Sequence, residues 1–414
     1  MDASTTVHEP RLQGMGKVEF IAMMATLMAL NALAIDMMLP GLQEIGASLG
    51  VENENHRQYV ISAYLLGFAF AQLAYGPLAD RFGRRPPLLL GMAIYVLAAG
   101  AAMFVPTFGT LLALRFVHGI GSAATRVITV SIIRDVFGGR KMAEVMSLVM
   151  MVFMIVPVVA PGVGQVVMIF GEWHLIFGFM AAIAILASLW IWFRLPETLD
   201  SADVRPFTPA VIIRGFGIVL SNRVAFCYTL AASIVFGSLF GFINSAQQIY
   251  VGIYGLGAMF PVVFAGVAMF MALSSFLNSR LVGRFGMRRL SHGALIGFIL
   301  VSFVWFVLSL MLGYLPLSLY LLLFTLAMFQ FGLIGSNFNA LAMEPLGHVA
   351  GTASSVLGFM GTAGGGLIGA LIGQAFDGTT TPLAAGYFMV SVVGLVFVLI
   401  AEKGRLFQPH HKPV

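Results

Sequence analysis

Twelve stretches of this chain each run for about twenty residues with scarcely a charge, and short polar or turn-rich segments separate them. An apolar run of about 20 residues crosses a hydrocarbon core of about 30 Å as a helix. Backbone N–H and C=O groups find no water there and must be satisfied within the segment, which selects helices. None of the runs shows the roughly ten-residue alternation of a barrel strand. The expected spans are 18–40, 58–79, 87–105, 108–133, 142–168, 173–193, 224–249, 257–279, 290–313, 316–342, 350–375 and 383–401. Composition agrees: 59% of the residues are hydrophobic and 9% charged, against about 25% charged in a soluble domain. The chain reads as an all-α membrane protein.

Basic residues orient it. Nineteen of the 22 Lys and Arg fall in the two tails and in the connections after spans 2, 4, 6 and 8. Arg57 alone lies on the opposite side, and Arg115 and Arg126 lie within span 4. The positive-inside rule then puts both termini in the cytoplasm. The excess of basic residues follows from topology and gives no reason to expect nucleic acid as a partner. The first sixteen residues are polar and mixed in charge, unlike a removable signal. One cysteine, Cys227, excludes an intrachain disulfide, and the eight histidines, including His410 and His411 in the tail, form no metal-ligand spacing. No metal or cofactor is expected.

Two halves are visible. Residues 195–222 form the longest weakly apolar connection and fall near the midpoint. The expected organisation is a six-helix bundle over 1–194, a cytoplasmic linker over 195–222 and a second six-helix bundle over 223–414. L-A-D-R-F-G-R-R at 78–85 is echoed by L-V-G-R-F-G-M-R-R at 281–289, which makes the halves pseudo-symmetric. Parallel halves of this kind hold a binding site near the bilayer midplane between them.

Charge inside the apolar runs marks candidate sites. Asp36 is the only acid well inside an apolar run of the first half. A charge there costs several kcal/mol unless it is paired, hydrated or neutralised, so Asp36 is the candidate proton carrier. The alternative is a carboxylate near water at the outer end of span 1. On span 4, Arg115, Ser122 and Arg126 share a helical face, with His118 about 60° away. Two guanidiniums cannot face lipid cheaply, so this stripe is expected to line a cavity or meet carboxylates. Arg126 could bind an anionic part of a substrate or neutralise Asp36. Asn31, Asn244, Gln247, Gln248 and Asn337 add neutral hydrogen-bonding groups to the candidate substrate cavity. Gly361, Gly365, Gly369 and Gly373 recur every four residues, as in a helix-packing groove.

The segment GPLADRFGRRPPL at 76–88 reads as a tight turn between spans 2 and 3, with Gly83 permitting the turn and Pro86-Pro87 opening the next helix. Asp80 beside Arg81, Arg84 and Arg85 is expected to form ion pairs at a helix seam; anchoring of topology alone is the other reading. G-x-L-A-D-R-x-G-R-R at 76–85, which includes Gly76, resembles the loop motif of the major facilitator superfamily. A-x-D-M-M-L-P-G-L at 34–42, L-A-L-R-F-V-H-G-I-G-S-A-A at 112–124, P-V-V-A-P-G-V-G-Q at 157–165 and N-A-L-A-M-E-P-L-G-H-V-A-G-T-A-S-S at 339–355 are similar to motifs of its twelve-helix drug:proton antiporters, in particular the bicyclomycin-resistance (Bcr/CflA) subgroup. His118, where glutamine is usual, Gln165, where glycine is usual, and Gly283, opposite Asp80, depart from the pattern.

The resemblance implies two six-helix bundles, alternating access and export of small amphipathic compounds or drugs in exchange for protons. It places the protein in the cytoplasmic membrane of a bacterium, as a monomer with no cofactor. It also implies that Arg115 takes part in proton coupling, and that Pro157, Pro161, Gly162 and Gly164 form a hinge or seal in span 5. Two other readings stand beside it: a narrow exporter or importer of one metabolite, an anion if Arg126 binds it, and a membrane sensor that does not transport.

Overall fold

The computed structural model describes residues 14–137, 139–200, 204 and 209–407; Arg11, Arg205, Lys412 and the His410–His411 pair lie outside them. Among the described residues, twelve helical segments are long and apolar enough to cross a membrane. The α-helices are α1 (Lys17–Asp36), α2 (Leu42–Ser48), α3 (Tyr59–Phe82), α4 (Arg85–Ala102), α5 (Phe108–Val136), α6 (Gly139–Ile169), α7 (His174–Arg194), α8 (Pro209–Ser221), α9 (Arg223–Gln247), α10 (Phe260–Phe285), α11 (Met287–Leu312), α12 (Leu317–Met343), α13 (Ala350–Gln374) and α14 (Thr381–Ala401). Local chemistry sets several of their ends. Thr107 caps α5 by accepting from Thr110 N at 3.3 Å, and Asn222 caps α9 by accepting from Ala225 N at 3.0 Å. Pro86 and Pro87 stand in the first turn of α4, where a missing N–H costs nothing.

Three segments differ from the sequence reading. The first span is not one helix: α1 stops at Asp36, and a 3₁₀ turn at Leu39–Gly41 leads into α2. The loop motif is mostly helical, because α3 continues through Pro77 to Phe82 and only Gly83 and Arg84 separate it from α4. Gly83 has φ 90°, a conformation that other residues adopt only with strain. Within the expected linker, Pro209–Ser221 forms α8.

The chain forms two compact units, one of Met1–Met38 with Leu66–Pro209 and one of Leu39–Leu65 with Ala210–Val414. In the first, α4 crosses α5 closely: a Cβ on Gly121 would lie 2.5 Å from Tyr95 N and 2.6 Å from Gly91 O. In the second, α13 lies along α9, and the glycine repeat explains the contact. A Cβ on Gly365 would come within 3.1 Å of Phe236 Cβ, and one on Gly369 would collide with Phe240. Gly361 meets nothing within 4 Å, so the groove begins one turn later. The remaining interior of this unit is aromatic, with Trp305 of α11 edge-on to Tyr320, Phe324 and Tyr387 at centroid distances of 5.7, 5.9 and 5.3 Å.

Candidate functional site

The last-turn carbonyls of a helix lack intrahelical donors, and α1 carries no base in its own last turn. Arg115 of α5 fills that role: its Nη2 donates to Ala34 O at 2.9 Å, placing a cation at the negative end of α1. Its Nη1 donates to His118 Nδ1 at 3.0 Å, and the ring of Phe177 on α7 lies 5.9 Å from the guanidinium carbon. The His118 ring packs edge-on against Tyr95 with centroids 4.1 Å apart, and the Tyr95 hydroxyl donates to Leu30 O at 3.2 Å. The close approach of α4 at Gly121 brings Tyr95 to this position. Arg115, His118, Ser122 and Asn31 are all buried. Arg126, half-buried, follows about one turn beyond Ser122 on α5.

Asp36 ends α1 and is 4% exposed. Its Oδ1 is buried without a hydrogen-bond partner, and the carboxylate forms no ion pair among the described residues. A backbone turn C-terminal to Asp36 is covered by α6. A Cβ on Gly164 would overlap the carbonyl of Met37, so glycine is what lets α6 reach the end of α1. Pro157 and Pro161 lie inside the same helix, and Gly162 is half-buried beside them. Gly164→Ala is expected to force α6 away from Met37 and lower stability by about 1–3 kcal/mol, read as a fall in Tm of the detergent-purified protein.

The loop motif builds a second cluster. Arg84 pairs with Asp80 at 2.5 Å, within its own turn, and its Nε pairs with Asp135 Oδ2 of α5 at 2.6 Å. Glu197, which follows α7, accepts from the backbone N–H of Arg84 at 2.7 Å and of Arg85 at 3.0 Å, so a carboxylate sits at the positive end of α4. It also rests against Gly83, where a Cβ would lie 2.5 Å from Glu197 Oε2. Burial works against the Arg84 charge, but its bonds to Asp135 and Asp80 prevail and hold its pKa above the ordinary arginine value. The Arg85 guanidinium donates to Trp192 O and lies 5.5 Å from the Trp192 ring centre, while Arg81 is exposed and Gly76 half-buried. Thus one of the three loop arginines makes the charge cluster.

The second unit repeats the arrangement. Arg288 pairs with Glu402 at 2.8 Å and Glu344 at 2.9 Å. Tyr228 donates to Glu402 Oε1 at 2.8 Å and lies 2.9 Å from His292 Nε2, whose ring accepts at Nδ1 from Phe407 N at 3.2 Å. The similarity visible at 78–85 and 281–289 therefore extends to carboxylates on two further elements of each unit, Asp135 and Glu197 in one, Glu344 and Glu402 in the other. Glu197 and Glu402 escaped the sequence reading, although P-E-T at 196–198 and A-E at 401–402 mark the ends of corresponding spans.

The neutral candidates in the second unit divide. Gln247 Nε2 donates to Gln43 Oε1 at 3.1 Å. Gln248 accepts from Gln58 Nε2 at 2.6 Å and donates to Asn55 Oδ1 at 2.8 Å. Asn55 and Gln374 close the network, Asn55 Nδ2 donating to Phe376 O at 2.8 Å and Gln374 Nε2 to Asn55 O at 2.6 Å. Asn337 lies elsewhere, donating to Asn278 Oδ1 at 2.6 Å between α12 and α10. Asn244 belongs to neither group. Gln43, Asn55, Gln58 and Gln374 escaped the sequence reading because isolated neutral amides at or beyond the ends of spans carry no charge to mark them.

Twelve membrane-length helices, a repeated charge cluster and a buried carboxylate at the end of the first helix define a transporter built from two related halves. The chain belongs to the Major Facilitator Superfamily, whose family model matches residues 20–370. It is 33% identical over 367 residues to the bicyclomycin resistance protein homolog of Haemophilus influenzae, covering 88% of this chain and 91% of that one. It is 28% identical over 402 residues to multidrug resistance protein MdtL of Escherichia coli O127:H6, covering 95% and 98%. Among solved structures, a partially occluded inward-open xylose transporter XylE from E. coli has the same fold, with TM-score 0.69 at 12% identity over 93% of this chain and 97% of that one. The protein is a multi-pass inner-membrane transporter of small molecules.

Proposed function

We propose that this protein is a proton-coupled antiporter that exports small amphipathic compounds by alternating access. Both termini are cytoplasmic in this reading, the residues 1–194 and 223–414 act as the two working halves, and the unit is a monomer. Asp36 carries the proton. The observation that carries the proposal is the burial of Asp36 with its Oδ1 unbonded and no ion pair among the described residues, at the end of a helix whose last turn Arg115 already serves. A carboxylate so placed is tolerated when it holds a proton or when a cation arrives to pair with it. Those are the two states a carrier alternates between. Arg115 keeps the end of α1 fixed and positive while the proton leaves, and His118, bonded to Arg115, is a positioning residue. The resistance functions of the relatives support a drug-like substrate, and the nineteen basic residues grouped on one side support the orientation.

The test is accumulation in everted membrane vesicles energised by a proton gradient, run with a panel of amphipathic cations and neutral compounds. Uptake of several unrelated compounds, abolished by a protonophore, is the expected result. Uptake of one acid alone would replace the reading with a narrow carrier.

A further inference from the structure

Where the Leu39–Leu65 segment meets α9 and α13, nearly every carboxamide is engaged. Gln43, Asn55, Gln247, Gln248 and Gln374 each make a hydrogen bond. Two side chains in the same neighbourhood break that pattern. Asn244 is 1% exposed and neither its Nδ2 nor its Oδ1 has a partner. Gln58 is 2% exposed; its Nε2 donates to Gln248 Oε1 and to Gly373 O at 3.1 Å, which fixes the amide's orientation and leaves Oε1 unbonded.

The two adjoin. Gly373 has no Cβ, and one built there would overlap Gln58 Oε1 and lie 2.9 Å from Asn244 Cβ. One buried spot therefore collects two free acceptors and one free donor. Each unmet buried group is costly, and native interiors keep few of them without a use. Directly after α9 the chain forms a π-helical segment at Gln248–Ile253, an element concentrated at functional sites. All the groups involved are neutral, so a charged ligand group would be left without a counter-charge.

The geometry points to a substrate subsite in which Asn244 and Gln58 read an uncharged group that both donates and accepts, a secondary amide or an alcohol. The inference rests on the exporter reading and names the substrate class for it. Asn244 Nδ2 donates to the ligand's oxygen, and Asn244 Oδ1 or Gln58 Oε1 accepts from its N–H or O–H. Gln58 belongs to both the subsite and the amide network, so occupancy of its carbonyl acts on the same side chain that holds Gln248.

The probes are N-butylbenzamide and butyl benzoate, which share shape and carbonyl but differ in the N–H. Two readouts are used: inhibition of proton-driven accumulation of a fluorescent amphipathic dye in everted vesicles, and thermal stabilisation of the purified full chain. Wild-type protein is expected to prefer the amide by about 10-fold or more, the worth of one well-made hydrogen bond in a dry site. In Asn244→Ala, which loses the donor that holds the ligand's oxygen and so aligns its N–H on either acceptor, the preference falls below about twofold. Asn244→Ser, which keeps a donor and an acceptor, serves if Asn244→Ala does not fold, and it is expected to weaken binding of the amide. No preference in wild type, or an unchanged preference in a folded Asn244 variant, overturns the subsite. If wild-type vesicles accumulate no dye, the exporter reading fails, and thermal stabilisation, which needs no pumping, still decides the subsite.

Discussion

Vesicles carrying Asp36→Asn are expected to lose proton-driven accumulation by about 100-fold or more, the scale of loss when a proton-transferring group is removed. Asparagine is nearly the same size as aspartate and can be buried neutral, so the fold should survive with its Tm little changed. Substrate exchange across the membrane without net proton movement should also persist, because α1 and Arg115 keep their contact through Ala34 O, a backbone atom. The two assays together separate a lost proton carrier from a damaged cavity. Uphill accumulation by Asp36→Asn at the wild-type rate would remove Asp36 from the coupling role.

Arg84→Ala is expected to be the most destabilising single change at the loop motif. The guanidinium is 3% exposed and neutralises Asp80 and Asp135; removing it takes the shared cation away from both acids. Breaking a fully buried pair costs about 3–5 kcal/mol. Asp80 is 34% exposed, so about 3 kcal/mol is the expected loss. Arg84→Lys recovers a part of it, since ammonium restores the charge but cannot reach both carboxylates as the planar fork does. Combining Arg84→Ala with Asp135→Asn should cost less than the sum of the two, because the second change removes a charge that the first left unpaired. The sign of the pH effect follows from the raised pKa of Arg84. Its protonation contributes fully across the neutral range and is lost only in strong alkali, beyond the folded-state value. A pH dependence of transport near neutrality therefore does not come from this cluster.

Helices were legible in the sequence because length and hydropathy dictate them. Twelve apolar runs yielded twelve membrane-length segments, and Pro86-Pro87 marked the start of α4. The interruption after Asp36 was not read although the sequence marks it: the apolar run continues into Met37, Met38 and Leu39, but Pro40 has no N–H to return to the carbonyl of Asp36. Pro77, inside the stretch read as a turn at 76–88, does not end its helix: proline in an apolar helix is tolerated where neighbouring groups compensate, so α3 continues to Phe82. At the site, charge in an apolar run singled out Asp36 and Arg115, since its cost is visible residue by residue. That Arg115 serves a backbone carbonyl of α1, and that Gly164 covers the next one, are facts of tertiary contact between residues far apart in the chain. The amides of Gln58 and Asn55 were invisible for want of charge or period, whereas the arginine of each repeated motif announced the cluster it forms.

Each charge cluster draws on its own half of the chain: Arg84 with Asp80, Asp135 and Glu197, and Arg288 with Glu344 and Glu402. Among the described residues, neither guanidinium takes a counter-ion from the other half. The gene could thus be cut within the connection preceding α8 and the fragments translated separately, and each fragment would still bring every charge needed to close its basic end.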